Sequence, residues 1–160
     1  MFNCTYMPPI DTGLGYIHIY ADNVGVTRIE FSENGNISEK LNDHTELCRR
    51  QIEQYFTEGR TEFSVPLHLI GTPFQMKTWQ VLMKIPYGET WSYKEQALAL
   101  GSANYARAVG LANSKNPVSI IVPCHRVIGT NHTLTGYAGG LNRKKTLLML
   151  ENNLFDSKPQ

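Results

Sequence analysis

A chain of 160 residues, 41% hydrophobic and 18% charged, has the composition of a globular protein long enough to bury a real core as one domain or two small ones. No apolar run is long enough to cross a bilayer, Met1 to Asp11 lack the basic and apolar segments of a secretory leader, and three widely spaced cysteines argue against a disulfide framework and for a reducing compartment. The net charge of +1 hides an asymmetry, which marks either an ordinary uneven surface or a second half that meets a polyanion: residues 1–70 hold five Lys/Arg against ten Asp/Glu, a balance of −5, and residues 71–160 hold ten against four, a balance of +6.

The first predicted elements are strands. Tyr16, His18 and Tyr20 alternate with Ile17 and Ile19, Asp22 to Gly25 supply turn residues, and Val26 to Phe31 form a second run, so the pattern predicts a hairpin with His18 as a cross-strand surface residue. Asp43 to Thr57 then has helical periodicity, with Cys48, Ile52, Tyr55 and Phe56 on one stripe and Gly59 as its stop. Cys48 on that stripe reads as core. Phe63 to Ile70, interrupted by Pro66, reads as a connector, and a domain boundary is expected near Gly71.

Thr72-Pro73-Phe74-Gln75 opens a helix with a Thr N-cap, a proline at the first helical position and a Gln completing a capping box; Trp79 and Leu82 on it read as core. Ser92-Tyr93-Lys94-Glu95 is a second capping box, opening a helix to about Leu100 that Gly101 closes. Ser102 caps a further helix from Ala103 to about Asn113. Two short helices about a glycine turn have the spacing of a helix-turn-helix. Its second helix carries small residues, Ala106, Ala108 and Gly110, around one long cation, Arg107. Such a face permits close approach to a groove wall without base readout, or tight packing within the domain.

Ser119-Ile120-Ile121-Val122 is short, apolar and β-branched, which predicts a buried strand ended by Pro123. Cys124 follows, with His125 beside it. A lone cysteine is more often an inert packing group than a nucleophile, and no second cysteine stands at metal-binding spacing. A Cys-His pair in a proline-bounded turn, followed by Arg126 and the Gly136-Tyr137-Ala138-Gly139-Gly140 loop, favours a nucleophile facing backbone that can approach a ligand closely. Gly129 to Thr135 reads as a polar turn, Leu141 to Leu150 as a last helix ending at Glu151, and Asn152 to Gln160 as a frayed tail.

Taken together, Pro123-Cys124-His125-Arg126-Val127, Asn116-Pro117, Ala106-Arg107-Ala108-Val109-Gly110 and Gly136-Tyr137-Ala138-Gly139-Gly140-Leu141 resemble the O6-alkylguanine-DNA alkyltransferases, and the match runs in order from about Gly71 to Glu151. The resemblance implies two domains: a ribonuclease-H-like α/β domain over residues 1–70, and a mainly helical, winged-helix-like DNA-binding and alkyl-transfer domain with the helix-turn-helix over residues 71–160. It implies single-turnover transfer of a methyl or larger alkyl group from O6-alkylguanine in double-stranded DNA to Cys124. His125 would be the base through a water and Glu151 the partner orienting its imidazole. Asn116 would hold the turn, and Tyr93 would rotate the nucleotide and protonate the leaving guanine.

The same resemblance implies that Arg107 fills the gap in the base stack, that Tyr105, Ala106, Ala108, Gly110, Ser92 and Arg126 meet DNA from the minor groove, and that Tyr93, Val127, Tyr137 and Ala138 line the base pocket. The chemistry calls for a lowered thiol pKa, which a Cys-His-Glu relay supplies, and for no cofactor, since DNA is the alkyl donor. A cytoplasmic monomer with access to the nucleoid, nuclear in a eukaryote, is expected. Some members hold zinc in the first domain; Asp22 and Thr27 stand at the places that would complete a site with Cys4, so no metal is expected. Gln96 stands where relatives carry an apolar residue, and Ala138 where some carry serine.

Three other readings compete. A damage sensor on the same scaffold would bind the lesion without reacting, but it would lack the cysteine that this chain has. A cysteine hydrolase would turn over through a thioester, and a helix-turn-helix is an odd companion for it. A transcriptional regulator would need a further sensor domain, for which this chain has no room.

Overall fold

A computed structural model describes residues 1–129, Tyr137 and residues 139–152. These divide into two compact units, one of residues 1–70 with Pro117–Ser119, the other of residues 71–116 and of those from Ile120 on.

The first unit is built on an antiparallel sheet of β1 (Phe2–Tyr6), β2 (Tyr16–Ala21) and β3 (Val26–Ser32), in that order, with Cys4 opposite Ile19 and His18 opposite Glu30. The expected hairpin is β2–β3; β1 extends it. Helix α1 (Asp43–Glu58) lays its stripe of Thr45, Cys48, Ile52, Tyr55 and Phe56 inward, where Cys4, Ile17, Ile19 and Ile29 are buried. Each fully buried aliphatic side chain of this kind stabilises the fold by roughly 1.5–3 kcal/mol. Asn42 starts α1 with a reciprocal cap, its Oδ1 accepting from the Thr45 amide and its own amide donating to the Thr45 hydroxyl, both at 2.9 Å. Gly59 ends it with φ 71°.

At the β2–β3 turn Gly25 must stay bare, because a Cβ there would lie 2.6 Å from the Pro66 carbonyl oxygen. That close approach lets Val26 and the 66–68 segment exchange two hydrogen bonds of 2.8 Å. Asp22 fixes the same turn. One of its carboxylate oxygens accepts from the Val24 and Gly25 amides, and the other meets His68 Nδ1 at 2.6 Å. His68 and these amides hold the Asp22 carboxyl down at about 2. His18 departs from its expected surface position. It is 4% exposed, its Nε2 donating to the Asn34 carbonyl at 2.6 Å and its Nδ1 accepting from the Thr5 hydroxyl at 3.0 Å, bonds that satisfy a ring no alternation rule would place inside.

The second unit is mainly helical: α2 (Pro73–Leu82), α3 (Tyr93–Ala99), α4 (Ala106–Ser114) and α5 (Leu141–Asn152), with a two-residue parallel pair of β4 (Trp91–Ser92) and β5 (Val127–Ile128). Both expected capping boxes form, at Thr72–Gln75 and Ser92–Glu95. Ser102 caps as expected, although Ala103–Tyr105 make a tight 3₁₀ turn before α4 proper. Trp79 is buried and donates to the Ala112 carbonyl at 2.9 Å, tying α2 to α4. No helix among the described residues is long and apolar enough to cross a membrane. The expected polar turn of Gly129 to Thr135 and the expected tail of Asn152 to Gln160 lie, but for Gly129 and Asn152, outside the described residues.

Candidate active site

Cys124 sits in a turn, and not at the end of a strand. Ser119 to Val122 are buried as expected, but they form successive turns, with Ile120 at φ 73°, a left-handed conformation that costs a β-branched residue roughly 1–2 kcal/mol. Pro123, at φ −84° and ψ 64°, is the centre of an inverse γ-turn, and the Cys124 amide donates to the Val122 carbonyl at 2.8 Å. A short apolar run tells a buried segment from an exposed one; it does not tell a strand from a turn.

Asn116 locks this turn with one amide group. Its Nδ2 donates to the Val122 carbonyl at 2.8 Å and to Cys124 Sγ at 3.1 Å. Cys124 to Arg126 form a single 3₁₀ turn in which Cys124 as a whole is 7% exposed. Burial pushes the thiol up from its ordinary value, partly opposed by the Asn116 donor and the Lys144 charge. The site at rest therefore holds a thiol, contrary to the lowered pKa expected from sequence.

Helix α5 supplies the polar groups behind the turn. His125 is fully buried and its Nε2 donates to Glu151 Oε2 at 2.8 Å; its Nδ1 has no hydrogen-bond partner among the described residues. Arg126 also points inward. Expected to meet DNA, it is 6% exposed, with Nε on Glu151 Oε1 at 2.8 Å, Nη2 on Oε2 at 3.1 Å and Nη1 on the Ile85 carbonyl at 2.7 Å. The guanidinium turns in because a carboxylate this deep needs a charged, forked donor. The Gly88 amide adds a longer bond to Glu151 at 3.4 Å.

Burial raises the Glu151 carboxyl, but His125 and Arg126 outweigh it and hold the group far below the usual carboxylate range. Because Arg126 is a permanent charge, this direction stands even with a neutral imidazole beside it. Burial lowers His125, against the pull of Glu151, so the ring is neutral at neutral pH and able to accept a proton at Nδ1. Lys144, seven residues and two turns before Glu151 on α5, is fully buried and brought down to about 8 by desolvation, the Cys124 charge pulling the other way. Sequence reasoning missed it. Its i, i+7 spacing from Glu151 puts both on one helix face, but that spacing does not say what the face meets.

The helix-turn-helix carries the remaining expected residues. Tyr93 is half-buried at the first position of α3, and a Cβ on Gly110 of α4 would lie 3.8 Å from its ring. Arg107 and Ala108 are exposed on α4, Tyr105 is 42% exposed just before it, and Ala106 and Gly110 are half-buried. The Ser92 hydroxyl caps α3. Gln96, the residue out of pattern, is fully buried. It exchanges two bonds with Asn113 of α4, Nε2 to Oδ1 at 2.9 Å and Nδ2 to Oε1 at 2.8 Å. Val127 is buried in β5; Tyr137 is half-buried, and Ala138 lies outside the described residues.

The comparisons with known proteins divide the chain in the same way. Residues 4–69 match the ribonuclease-like domain and residues 73–153 the DNA-binding domain of 6-O-methylguanine DNA methyltransferase. A methylated-DNA–protein-cysteine methyltransferase of Mycobacterium leprae is 54% identical over 121 residues, 76% of this chain and 68% of that one. Matches to further mycobacterial relatives span a little under two thirds of their length. One of the same name from Methanosarcina barkeri is 42% identical over 154 residues, covering 92% of this chain and 98% of that one. A crystal structure of Mycobacterium tuberculosis OGT in complex with DNA superposes with a TM-score of 0.84 at 42% identity, covering 94% of this chain and 92% of the other. With both domains matched in order and a relative aligned over nearly its whole length, the chain belongs to the 6-O-methylguanine DNA methyltransferase family.

Proposed function

We propose that this chain removes a methyl or larger alkyl group from O6 of guanine in double-stranded DNA and keeps it, irreversibly, on Sγ of Cys124. The observation that carries the reading is the buried Cys124 thiol, held by Asn116 and followed in sequence by a His125 imidazole bonded to a Glu151 that Arg126 anchors. Methyl transfer between methylated DNA and a protein cysteine is the activity that the relatives' name states. Residues 71–160 would bind DNA and perform the chemistry, and residues 1–70 would form the ribonuclease-like companion domain.

In this reading His125 Nδ1 takes the Cys124 proton, directly or through a water, as the DNA arrives. Glu151 balances the imidazolium, and Asn116 and Lys144 favour the thiolate. Sulfur attacks the alkyl carbon in line; the C–S bond forms, the C–O bond breaks and its electron pair goes to the guanine. The Tyr93 hydroxyl supplies a proton to the leaving base. The product is a thioether with no carbonyl for water to attack, so the protein acts once. The donor is the DNA itself and no cofactor takes part.

The target atom lies inside the stack, so the nucleotide must be turned out, at a cost of roughly a few kcal/mol. Arg107, exposed on a face otherwise of small residues, would fill the gap from the minor groove, with Tyr105, Ala106, Ala108 and Gly110 close to the backbone and Val127, Tyr137 and Ala138 around the flipped base. Arg126 is better read as the clamp on Glu151 than as a DNA contact. The protein would act as a monomer in the compartment that holds the DNA.

The test is a titration with duplex DNA carrying radiolabelled O6-methylguanine. Transfer that plateaus at one methyl per protein supports the reading; continued release of product would make the protein a hydrolase, and lesion binding with no transfer a sensor.

A further inference from the structure

Helices α3 and α4 meet through two successive rungs. The outer rung is the Tyr93 ring against Gly110. The inner rung lies three residues further along each helix, one turn deeper, where Gln96 and Asn113 exchange hydrogen bonds of 2.9 and 2.8 Å with 0% and 7% exposure. An apolar pair could slide or rotate here at little cost. Two amides in a reciprocal pair accept one register only, because any slip strands buried donors and acceptors. A single polar pair in an apolar contact is a known way of fixing register.

We propose that Gln96 is a positioning residue for the nucleotide-flipping step: paired with Asn113, it sets the register of α3 on α4 and so fixes where the Tyr93 ring stands relative to the DNA-facing side of α4. This rests on the reading of Tyr93, Arg107 and Cys124 given above. Arg107 is three residues before Gly110, so the ring and the guanidinium share one turn of α4, and their separation is set by how α3 lies on that turn. Asn113 also stands in the last turn of α4, next to the Asn116 segment. Its carbonyl accepts the Asn116 amide at 3.2 Å, and the Asn116 side chain holds Cys124 Sγ. The pair thus stands where the flipping helices and the nucleophile's support join, which accounts for a buried glutamine at a position otherwise suited to an apolar side chain.

The experiment measures single-turnover repair at saturating O6-methylguanine duplex, with duplex affinity and thermal stability alongside. In Q96L/N113L the contact stays packed but loses its register. Its melting temperature should be no lower than that of wild type and its DNA affinity within about twofold, while repair at saturation slows about tenfold. The exchanged pair Q96N/N113Q, which keeps both bonds, should repair within about threefold of wild type. A wild-type rate in Q96L/N113L overturns the proposal, as does an equal loss in both double variants. Should Q96L/N113L not fold, Q96M/N113M, which likewise replaces both amides, carries the same comparison. Wild-type protein assayed in parallel separates the two levels: no transfer to its Cys124 defeats the reading of the site, whereas normal transfer with unaffected variants defeats only the role of Gln96.

Discussion

The His125 imidazole donates from Nε2 to Glu151 at 2.8 Å and leaves Nδ1, buried, with no hydrogen-bond partner among the described residues. A ring held this way keeps one basic nitrogen free of hydrogen bonds, and a proton taken up there would face a carboxylate already fixed by Arg126. Glu151→Gln should therefore slow single-turnover alkyl transfer roughly 10²–10³-fold, with duplex affinity unchanged. It should also cost roughly 3–5 kcal/mol in urea denaturation, because Arg126 stays buried without its counter-charge. Unchanged kinetics in a folded variant would remove Glu151 from the mechanism.

Acid should weaken both rate and fold, in two windows. His125 is lowered by burial, so the folded state holds the neutral ring; this stabilisation is present above the unfolded value of about 6.5 and is lost as pH falls below it, when the unfolded chain binds the proton more readily. Glu151 and Asp22 are lowered too, Asp22 to about 2; their contribution is present above about pH 4 and is lost as pH falls from there. Denaturation curves from pH 8 to 3 should show stability declining first below about 6.5 and again below about 4.5, and the alkyl-transfer rate should fall only at a pH below the ordinary imidazole value, where the folded ring itself takes up a proton. A rate that rises with acid would contradict the neutral imidazole.

Lys144 should trade stability for activity. Its folded pKa of about 8 lies below the unfolded value, so burying the charge destabilises the fold at neutral pH, and that cost is relieved as pH rises from about 8 toward 10.5. The same charge favours the Cys124 thiolate. Lys144→Met should hold or raise the melting temperature while slowing transfer at pH 7 by about tenfold, the rising limb of its pH–rate profile displaced toward alkali. Loss of stability with unchanged rate would reverse the assignment.

Asn116→Ala should damage both the turn and the thiol. It leaves the buried Val122 carbonyl without this donor, a cost of about 1–3 kcal/mol, and takes from Cys124 a bond that favours its ionised form. Asn116→Asp keeps the shape but places an anion beside the sulfur, and should be the slower of the two. An Asp variant as fast as wild type would show that Asn116 is a spacer alone.

The elements most legible in the sequence were those whose boundaries are set locally. Thr72–Gln75 and Ser92–Glu95 cap helices because each box satisfies its own backbone amides, and Gly59 ends α1 because only a left-handed residue fits there. What stayed hidden was set by distant partners. His18 is inside because Thr5 and the Asn34 carbonyl receive it, Arg126 turns inward because Glu151 of α5 is there, and Ile120 takes a left-handed turn because the Asn116 amide and the γ-turn at Pro123 hold the segment that follows. Cys124 and His125 stood out as a pair in a proline-bounded turn, and Asn116 and Glu151 were named through the resemblance to the alkyltransferases. The Lys144 charge and the Gln96–Asn113 pair could not, since each depends on which face of one helix meets another.

The most direct test of the account is intact-mass spectrometry with peptide mapping after incubation with an O6-methylguanine duplex. Cys4 and Cys48 are fully buried, and burial pushes both thiols up, Cys4 to about 11, so neither competes. The account predicts a gain of about 14 Da, one methyl in place of the thiol hydrogen, on Cys124 alone and absent in Cys124→Ser. An unchanged mass with the lesion still bound, or a methyl found on Cys4 or Cys48, would contradict it.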